Sequence, residues 1–140
     1  MQGCNSVSLH VRLGDYRKPQ NSGFGDICSL QYYRNAIGKI KENVDNPVFF
    51  VFSNDIDEAF KFLSSINDTA FVYMEKRDSI EDLYLMTNCK HHIIANSSYS
   101  WWGAWLGENS NTVTVAPSIW HSERPEWDIY PSQWIKVDIT

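Results

Sequence analysis

The sequence has little of what marks several large classes of protein. It has only three cysteines, Cys4, Cys28 and Cys89, and their odd number and wide spacing suit neither a disulfide framework nor a zinc site. No run of about 18 apolar residues occurs, which is the least that a membrane helix requires, and the N-terminus lacks a signal-peptide pattern. We therefore predict a protein of the reducing cytoplasm.

Positive charge is scarce as well. The 12 Lys and Arg residues are outnumbered by 17 Asp and Glu residues, which gives a formal net charge of -5. Because domains that bind nucleic acid normally present a basic face, we expect no nucleic acid partner. Apolar residues make up 43% and charged residues 21% of the 140 residues, so residues 1–140 are predicted to form a single domain around one core.

The hydrophobic pattern alternates between short apolar runs and segments of helical spacing. Runs at 7–12, 47–52, 70–74, 92–95 and 112–116 are typical of strands, and helices are expected to begin near residues 29, 55, 79 and 98. This order predicts an α/β fold, with a Rossmann-like, mainly parallel five-stranded sheet and helices on both faces. The carboxyl ends of such strands lie at one edge, where ligands bind.

The first of two informative strings is L-H-V-R-L-G-D-Y at residues 9–16, where the first strand ends. Arg12 offers a permanent planar cation that suits phosphate oxygens, and His10, two residues earlier, points to the same face of the sheet. Gly14 permits a tight turn, and Asp15 can fix that turn or hold Arg12. A surface arginine paired with Asp15 is the alternative interpretation.

The second string is N-S-S-Y-S-W-W-G-A-W-L at residues 96–106, between the fourth strand and its helix. Free N–H groups at a helix start attract anions, and Asn96, Ser97, Ser98 and Ser100 add donors without bulk. Ordinary helix capping is the alternative use of these side chains. Taken together, the two strings predict a site for a bound phosphate.

The tryptophans of the second string have two candidate uses. Trp101 is a candidate for stacking on a sugar or a base. Trp101, Trp102 and Trp105 also recur at helical spacing, and an apolar stripe at this spacing is more often part of the core. We expect two of the three to be buried against the sheet.

Three further polar residues are expected at the same edge of the sheet. Ser53 and Asn54 follow the second strand, where they either bind a ligand or cap the next helix. Asp82 lies in the first turn of a helix capped by Asp78 or Ser79, and the helix dipole by itself favours a carboxylate there.

The strings H-V-R-L-G-D-Y, S-N-D and N-S-S-Y-S-W-W-G-A-W-L together resemble the motifs of the family-eleven glycosyltransferases, mostly α-1,2-fucosyltransferases that use GDP-fucose. The resemblance extends to C-S-L-Q-Y-Y-R-N-A-I from Cys28 and P-E-W-D-I-Y-P-S-Q-W from Pro125, so it covers nearly the whole chain. It implies the donor domain of a GT-B-like enzyme that transfers fucose with inversion to a galactoside, without a cofactor or an essential metal.

The resemblance also implies roles for individual residues. Arg12 falls on the arginine that holds the GDP pyrophosphate, Asp82 on an acid at the guanosine, and Ser97 and Ser98 on the phosphate-side loop. Inversion needs a base for the acceptor hydroxyl, and Asp15 is the nearest candidate. The rest of the expected donor site is His10, Gly14, Ser53, Asn54, Asn96, Ser100 and Trp101.

The chain departs from the family in one respect. Family members carry an N-terminal half of similar size before the H-x-R strand, and we expect that acceptor half to be absent here. The chain is then expected to bind the donor but to be inactive alone. The implied partners are GDP-fucose, a galactose-containing glycan and the missing half, with room for peripheral membrane association of the full enzyme.

Two other functions compete with fucosyl transfer. One is a GDP-sugar-binding module without turnover. The other is a carbohydrate-binding domain that uses Trp101, Trp120, Trp127 and Trp134 as stacking platforms. GDP titration separates the last from the other two, because a lectin should ignore GDP.

Overall fold

The computed structural model describes residues 3–13, 23, 25, 27–75 and 78–140. The strands are β1 (Asn5–Val11), β2 (Pro47–Ser53), β3 (Phe71–Tyr73), β4 (His91–Ile93), β5 (Thr114–Pro117) and β6 (Ile135–Val137), and the helices are α1 (Leu30–Asn43), α2 (Ile56–Leu63), α3 (Ser79–Thr87) and α4 (Ser98–Leu106). All neighbouring strands pair in parallel, in the order β3-β2-β1-β4-β5-β6. The predicted parallel α/β sheet is confirmed.

The tail adds a sixth strand to the five that the sequence predicts. β6 lies beside β5, with Val115 opposite Ile135 and Pro117 opposite Val137. A run of three residues is too short to carry a clear period of two, so its pairing with β5, rather than its own pattern, makes it a strand.

The alternation of side chains along β2 divides the core into two layers. Phe49 and Val51 pack with buried residues of α1 and α2, whereas Phe50 and Phe52 pack with Met86 of α3. Successive strand residues point to opposite faces of a sheet. Helices α1 and α2 therefore cover one face and α3 and α4 the other, as predicted.

Three of the helices begin at a capping side chain. The side-chain oxygens of Ser29, Asp55 and Asp78 accept hydrogen bonds from backbone N–H groups at 3.1, 3.2 and 2.8 Å, at the starts of α1, α2 and α3 respectively. The choice between Asp78 and Ser79 is thereby settled for Asp78. None of the helices in the described part of the chain combines the length and the hydropathy that a membrane crossing requires.

The expectation that two of the three α4 tryptophans are buried is wrong. Trp102 and Trp105 are 50% and 44% exposed, and Trp101 is half-buried. α4 instead turns Gly103 toward α3, where an added Cβ would lie 3.4 Å from the Cβ of Met86. The close approach of the two helices occupies the buried side of α4 with small residues, so the tryptophans lie at its margins.

Candidate functional site

A pocket of about 130 Å³ opens at the carboxyl ends of β1 and β2. The sheet order reverses beside it, since β1 lies between β2 and β4, and such switch points are where open parallel sheets bind ligands. The lining side chains come from the ends of β1 and β2 and from the first turns of α3 and α4: His10, Arg12, Phe52, Ser53, Asn54, Ser79, Asp82 and Tyr99.

The end of β1 forms one wall of the pocket. His10 and Arg12 both reach it, as expected for residues two apart on a strand. Burial, and then the charge of Arg12, lowers the pKa of His10 to about 3, so its imidazole is neutral at physiological pH. Arg12 supplies permanent positive charge, while Nδ1 of His10 is buried with no hydrogen-bond partner within the described residues.

The start of α3 and the start of α4 form the facing wall. Asp82 is buried there at 9% exposure, although Asp78, and not Asp82, provides the helix cap. The hydroxyl of Tyr99 donates to the backbone oxygen of Ser79, which ties the two helix starts together. Burial, and then the carboxylates of Asp82 and Asp78, raises the pKa of Tyr99 to about 12. Its hydroxyl therefore remains a donor.

The loop after β2 braces the loop after β1. The side-chain oxygen of Asn54 accepts from the backbone N–H of Leu13 at 3.0 Å, and its amide nitrogen donates to the Leu13 oxygen at 2.7 Å. Ser53 closes a local turn, with its Oγ 3.1 Å from the backbone nitrogen of Asp55. Both predicted residues thus line the pocket while also shaping its backbone.

Two polar residues of the second string serve internal contacts. Asn96 is buried, where it accepts from the Cys28 thiol at 3.5 Å and donates to the Trp120 backbone oxygen at 3.2 Å. The Oγ of Ser100 is 3.2 Å from the nitrogen of Ala95, across the turn that starts α4. These bonds satisfy polar groups that the fold buries.

The other residues of that string with predicted donor contacts, Ser97, Ser98 and Trp101, also lie apart from the pocket lining. Ser97 is the buried N-cap of α4 and makes no side-chain cap bond, while Ser98 is exposed. Trp101 stacks on Trp105 at 5.5 Å between ring centres and donates to the Ile129 oxygen at 3.2 Å. Their expected roles at a donor remain predictions, as do those of Gly14 and Asp15, which lie outside the described residues.

The sequence interpretation missed three lining residues, Phe52, Ser79 and Tyr99. Tyr99 stands inside the second string, between two serines, where the predicted ligand contacts were Asn96, the serine hydroxyls and the indole ring of Trp101. Its ring centre lies 5.7 Å from that of His10, so it forms an aromatic side of the pocket. Among the described residues, no three His, Cys, Asp or Glu side chains are grouped as metal ligands.

The tail closes back over the sheet. Trp134 is 5% exposed and packs with Ile94 and Ala116, and Trp120 is 8% exposed. Trp127, at 46% exposure, is the tail tryptophan that remains accessible.

Comparison with known proteins gives a consistent result. Residues 1–138 match Glycosyl transferase family 11. An Alpha-1,2-colitosyltransferase of Escherichia coli is 40% identical over 141 residues, which cover 96% of this chain and 48% of the relative. The O-antigen biosynthesis glycosyltransferase WbnK, also of Escherichia coli, is 36% identical over 97% of this chain and 46% of its own length.

More distant relatives include a Galactoside alpha-(1,2)-fucosyltransferase 1 of Leontopithecus chrysomelas, which is 24% identical over 94% of this chain and 38% of its own length. The chain spans about half the length of the bacterial relatives that it matches. No solved structure matches it significantly. The match over almost every residue shows that the chain belongs to glycosyl transferase family 11.

Proposed function

We propose that this chain is the donor-binding part of an enzyme that transfers fucose, with inversion, from GDP-fucose to a galactose-containing glycan in α-1,2 linkage. One observation carries the proposal: a single pocket joins the permanent cation of Arg12 to the buried carboxylate of Asp82. The pyrophosphate of GDP complements the first, and the ring N–H and amino group of guanine complement the second. Family membership and the names of the relatives support the same reaction class.

The chemistry requires charge stabilisation at the leaving group. The bond between the fucose anomeric carbon and the β-phosphate oxygen breaks, so negative charge grows on GDP. Arg12 stabilises that charge, as preorganised cations do at developing anions, and we propose that transfer needs no metal. The acceptor hydroxyl forms the new bond at the anomeric carbon, and its proton passes to a base, for which Asp15 remains the candidate.

The acceptor is proposed to bind outside residues 1–140. The chain spans about half the length of its bacterial relatives, and orienting the acceptor supplies a large share of the rate in such reactions. We expect residues 1–140 alone to bind GDP but to give negligible fucosyl transfer. Robust transfer to a galactoside by this chain would contradict this division of labour, and transfer only with the remaining length of the enzyme would support it.

A second donor is favoured by one comparison. The relative at 40% identity is named a colitosyltransferase, whereas the fucosyltransferase relative quoted above is 24% identical. Colitose is fucose without its 3-hydroxyl, so both sugars suit the same nucleotide site. Competition between GDP-fucose and GDP-colitose for the chain decides between them, since the cognate donor should bind more tightly.

The tryptophan-based alternative loses support. Two of its four proposed platforms, Trp120 and Trp134, are buried at 8% and 5% exposure and cannot stack on a ligand. The module without turnover has the same pocket as the enzyme, and the transfer assay with the full-length enzyme distinguishes the two.

Base selectivity tests the proposed function most directly. Calorimetry should find GDP bound at least about tenfold more tightly than ADP, since a carboxylate accepts two hydrogen bonds from guanine and adenine offers no such pair. Asp82→Asn should remove most of this preference. Glu81→Gln is the matched control, because Glu81 lies in the same first turn but outside the pocket. Equal affinity of the wild type for both nucleotides would refute the assignment.

A further inference from the structure

The paired backbones of β1 and β2 are continued by a side chain. Their register ends at Val11 opposite Ser53. Asn54 directly follows the end of β2. Its carboxamide accepts a hydrogen bond from the N–H of Leu13 at 3.0 Å and donates one to the Leu13 carbonyl at 2.7 Å. The side chain thus makes the two bonds that a neighbouring strand would make, and it holds the backbone just beyond the strand end.

Arg12 lies between two such attachments. On its N-terminal side, the hydroxyl of Tyr33 donates to the carbonyl of His10 at 2.7 Å. On its C-terminal side, Leu13 is held by Asn54, and the leucine side chain is itself buried at 7% exposure. The backbone that carries the guanidinium is therefore fixed before any ligand arrives, which lowers the ordering cost of binding.

The alternative role of Asn54 as the cap of α2 is not supported by the structure. The cap of α2 comes from Asp55, whose carboxylate accepts from the N–H of Glu58 at 3.2 Å. Both the oxygen and the nitrogen of the Asn54 carboxamide bond to the backbone of Leu13, so the carboxamide is oriented toward the loop that follows β1.

We propose that Asn54 is a positioning residue for donor binding, which acts through the backbone of Leu13 to hold Arg12 and does not itself recognise the nucleotide. This inference rests on the proposed function, since it concerns the affinity for GDP. Supporting residues of this kind keep a binding constellation within the narrow geometry that tight binding needs.

A double-mutant cycle tests the inference. GDP affinity is measured by calorimetry for the wild-type chain, Asn54→Ala, Arg12→Ala and the double variant. Asn54→Ala should weaken binding roughly fivefold to thirtyfold when Arg12 is present, and by less than about twofold when it is not, because residues that act through one another are strongly coupled. An equal loss in both backgrounds, or no loss in either, would overturn the proposal.

Asp55→Ala is the matched control. It removes the α2 cap at the next position, so it should lower the melting temperature while GDP affinity stays within about twofold. If Asn54→Ala does not fold, Asn54→Gln takes its place. The longer side chain keeps the carboxamide but displaces it by one methylene, so it cannot make both bonds to Leu13, and the same coupling to Arg12 is expected.

Hydrogen exchange in the absence of GDP gives an independent readout. The amide of Leu13 should exchange faster in Asn54→Ala and unchanged in Asp55→Ala. If the wild-type chain bound no GDP, the proposed function would fail. The exchange rate would then test only the claim that Asn54 holds the backbone of Leu13. Faster exchange at Leu13 would support it, and unchanged exchange would overturn it.

Discussion

The ends of β1 and β4 carry similar polar residues and use them in opposite ways. At the end of β1, His10 and Arg12 line a pocket, and the backbone around them is held by other elements. After β4, Asn96 and Ser100 are buried, and their polar atoms bond to the protein itself. Hydrogen-bonding capacity at the end of a parallel strand is therefore not enough to identify a ligand site.

The tail accounts for the difference. Trp120 accepts a hydrogen bond from the side chain of Asn96, and Trp134 packs against Ile94 at the end of β4. At the end of β1, the described side chains of Ser53, Asp82 and Tyr99 instead line a pocket. A segment that returns over a strand end converts polar groups there from candidate ligand contacts into structural bonds, whereas polar groups that line a pocket face the space that a ligand would fill.

Removal of a buried tail tryptophan should have the largest effect on stability. A small effect would contradict the view that the tail holds the end of β4. Trp134→Ala should lower the free energy of unfolding by about 3–5 kcal/mol, the usual cost of truncating a buried aromatic side chain. The substitution also removes the hydrogen bond that Trp134 Nε1 donates to the Glu108 carboxylate at 2.9 Å. Denaturant unfolding measures the loss. Trp127→Ala, at a 46% exposed position, is the control and should have a much smaller effect.

Arg12→Ala tests the other side of the comparison. It should weaken GDP binding by about 1.5–3 kcal/mol, the range for hydrogen bonds to charged groups. Arg12→Lys should restore only part of the affinity, because a point charge cannot bind two oxygens as a planar fork does. Unchanged affinity in titration calorimetry would make Arg12 structural and remove the contrast between the two strand ends.

Acid titration sharpens the comparison through two buried histidines. Burial, with Arg12 beside His10 and His91 beside His92, lowers the pKa of both imidazoles to about 3. The unfolded chain binds these protons near pH 6.5 and the folded chain does not. Stability is therefore complete above pH 6.5 and falls as the pH drops toward 3.

Between pH 6.5 and 5.5 the expected loss is about 1 kcal/mol for each histidine. His92→Gln, compared with the wild type by denaturant unfolding at several pH values, should remove its share of the slope. A slope that is the same in both proteins would mean that His92 is protonated in the folded state. Nδ1 of His92 lies 2.8 Å from the hydroxyl oxygen of Ser8, and the neutral imidazole can make this hydrogen bond.

The two serines at the start of α4 should give the smallest effect. Ser98 is exposed, and Ser98→Ala should weaken GDP binding by about 0.5–1 kcal/mol if its hydroxyl reaches a phosphate as predicted. Ser100→Ala is the paired variant. It should leave GDP affinity unchanged and lower stability, because its Oγ is buried and bonded to Ala95. A reversed outcome would mean that the roles of the two hydroxyls have been exchanged.

The sequence alone was sufficient for the order of elements from β1 to β5, for the parallel sheet and for the family. Strand and helix periods are local properties, and caps such as Ser29 and Asp55 are read within four residues of their targets. The shared edge for Arg12, Ser53 and Asp82 also followed from the sequence, because strands that alternate with helices must run in parallel.

The tertiary structure decided which polar groups stay available. Residues that lie far apart along the chain meet in three places: the pairing of β6 with β5, the tail over the end of β4, and the hydrogen bonds between Asn54 and Leu13. A periodic pattern contains no information on such contacts, since each depends on two segments whose pairing is settled only when the core packs. For the same reason Tyr99 became a wall of the pocket, while Asn96, three residues earlier, became part of the interior.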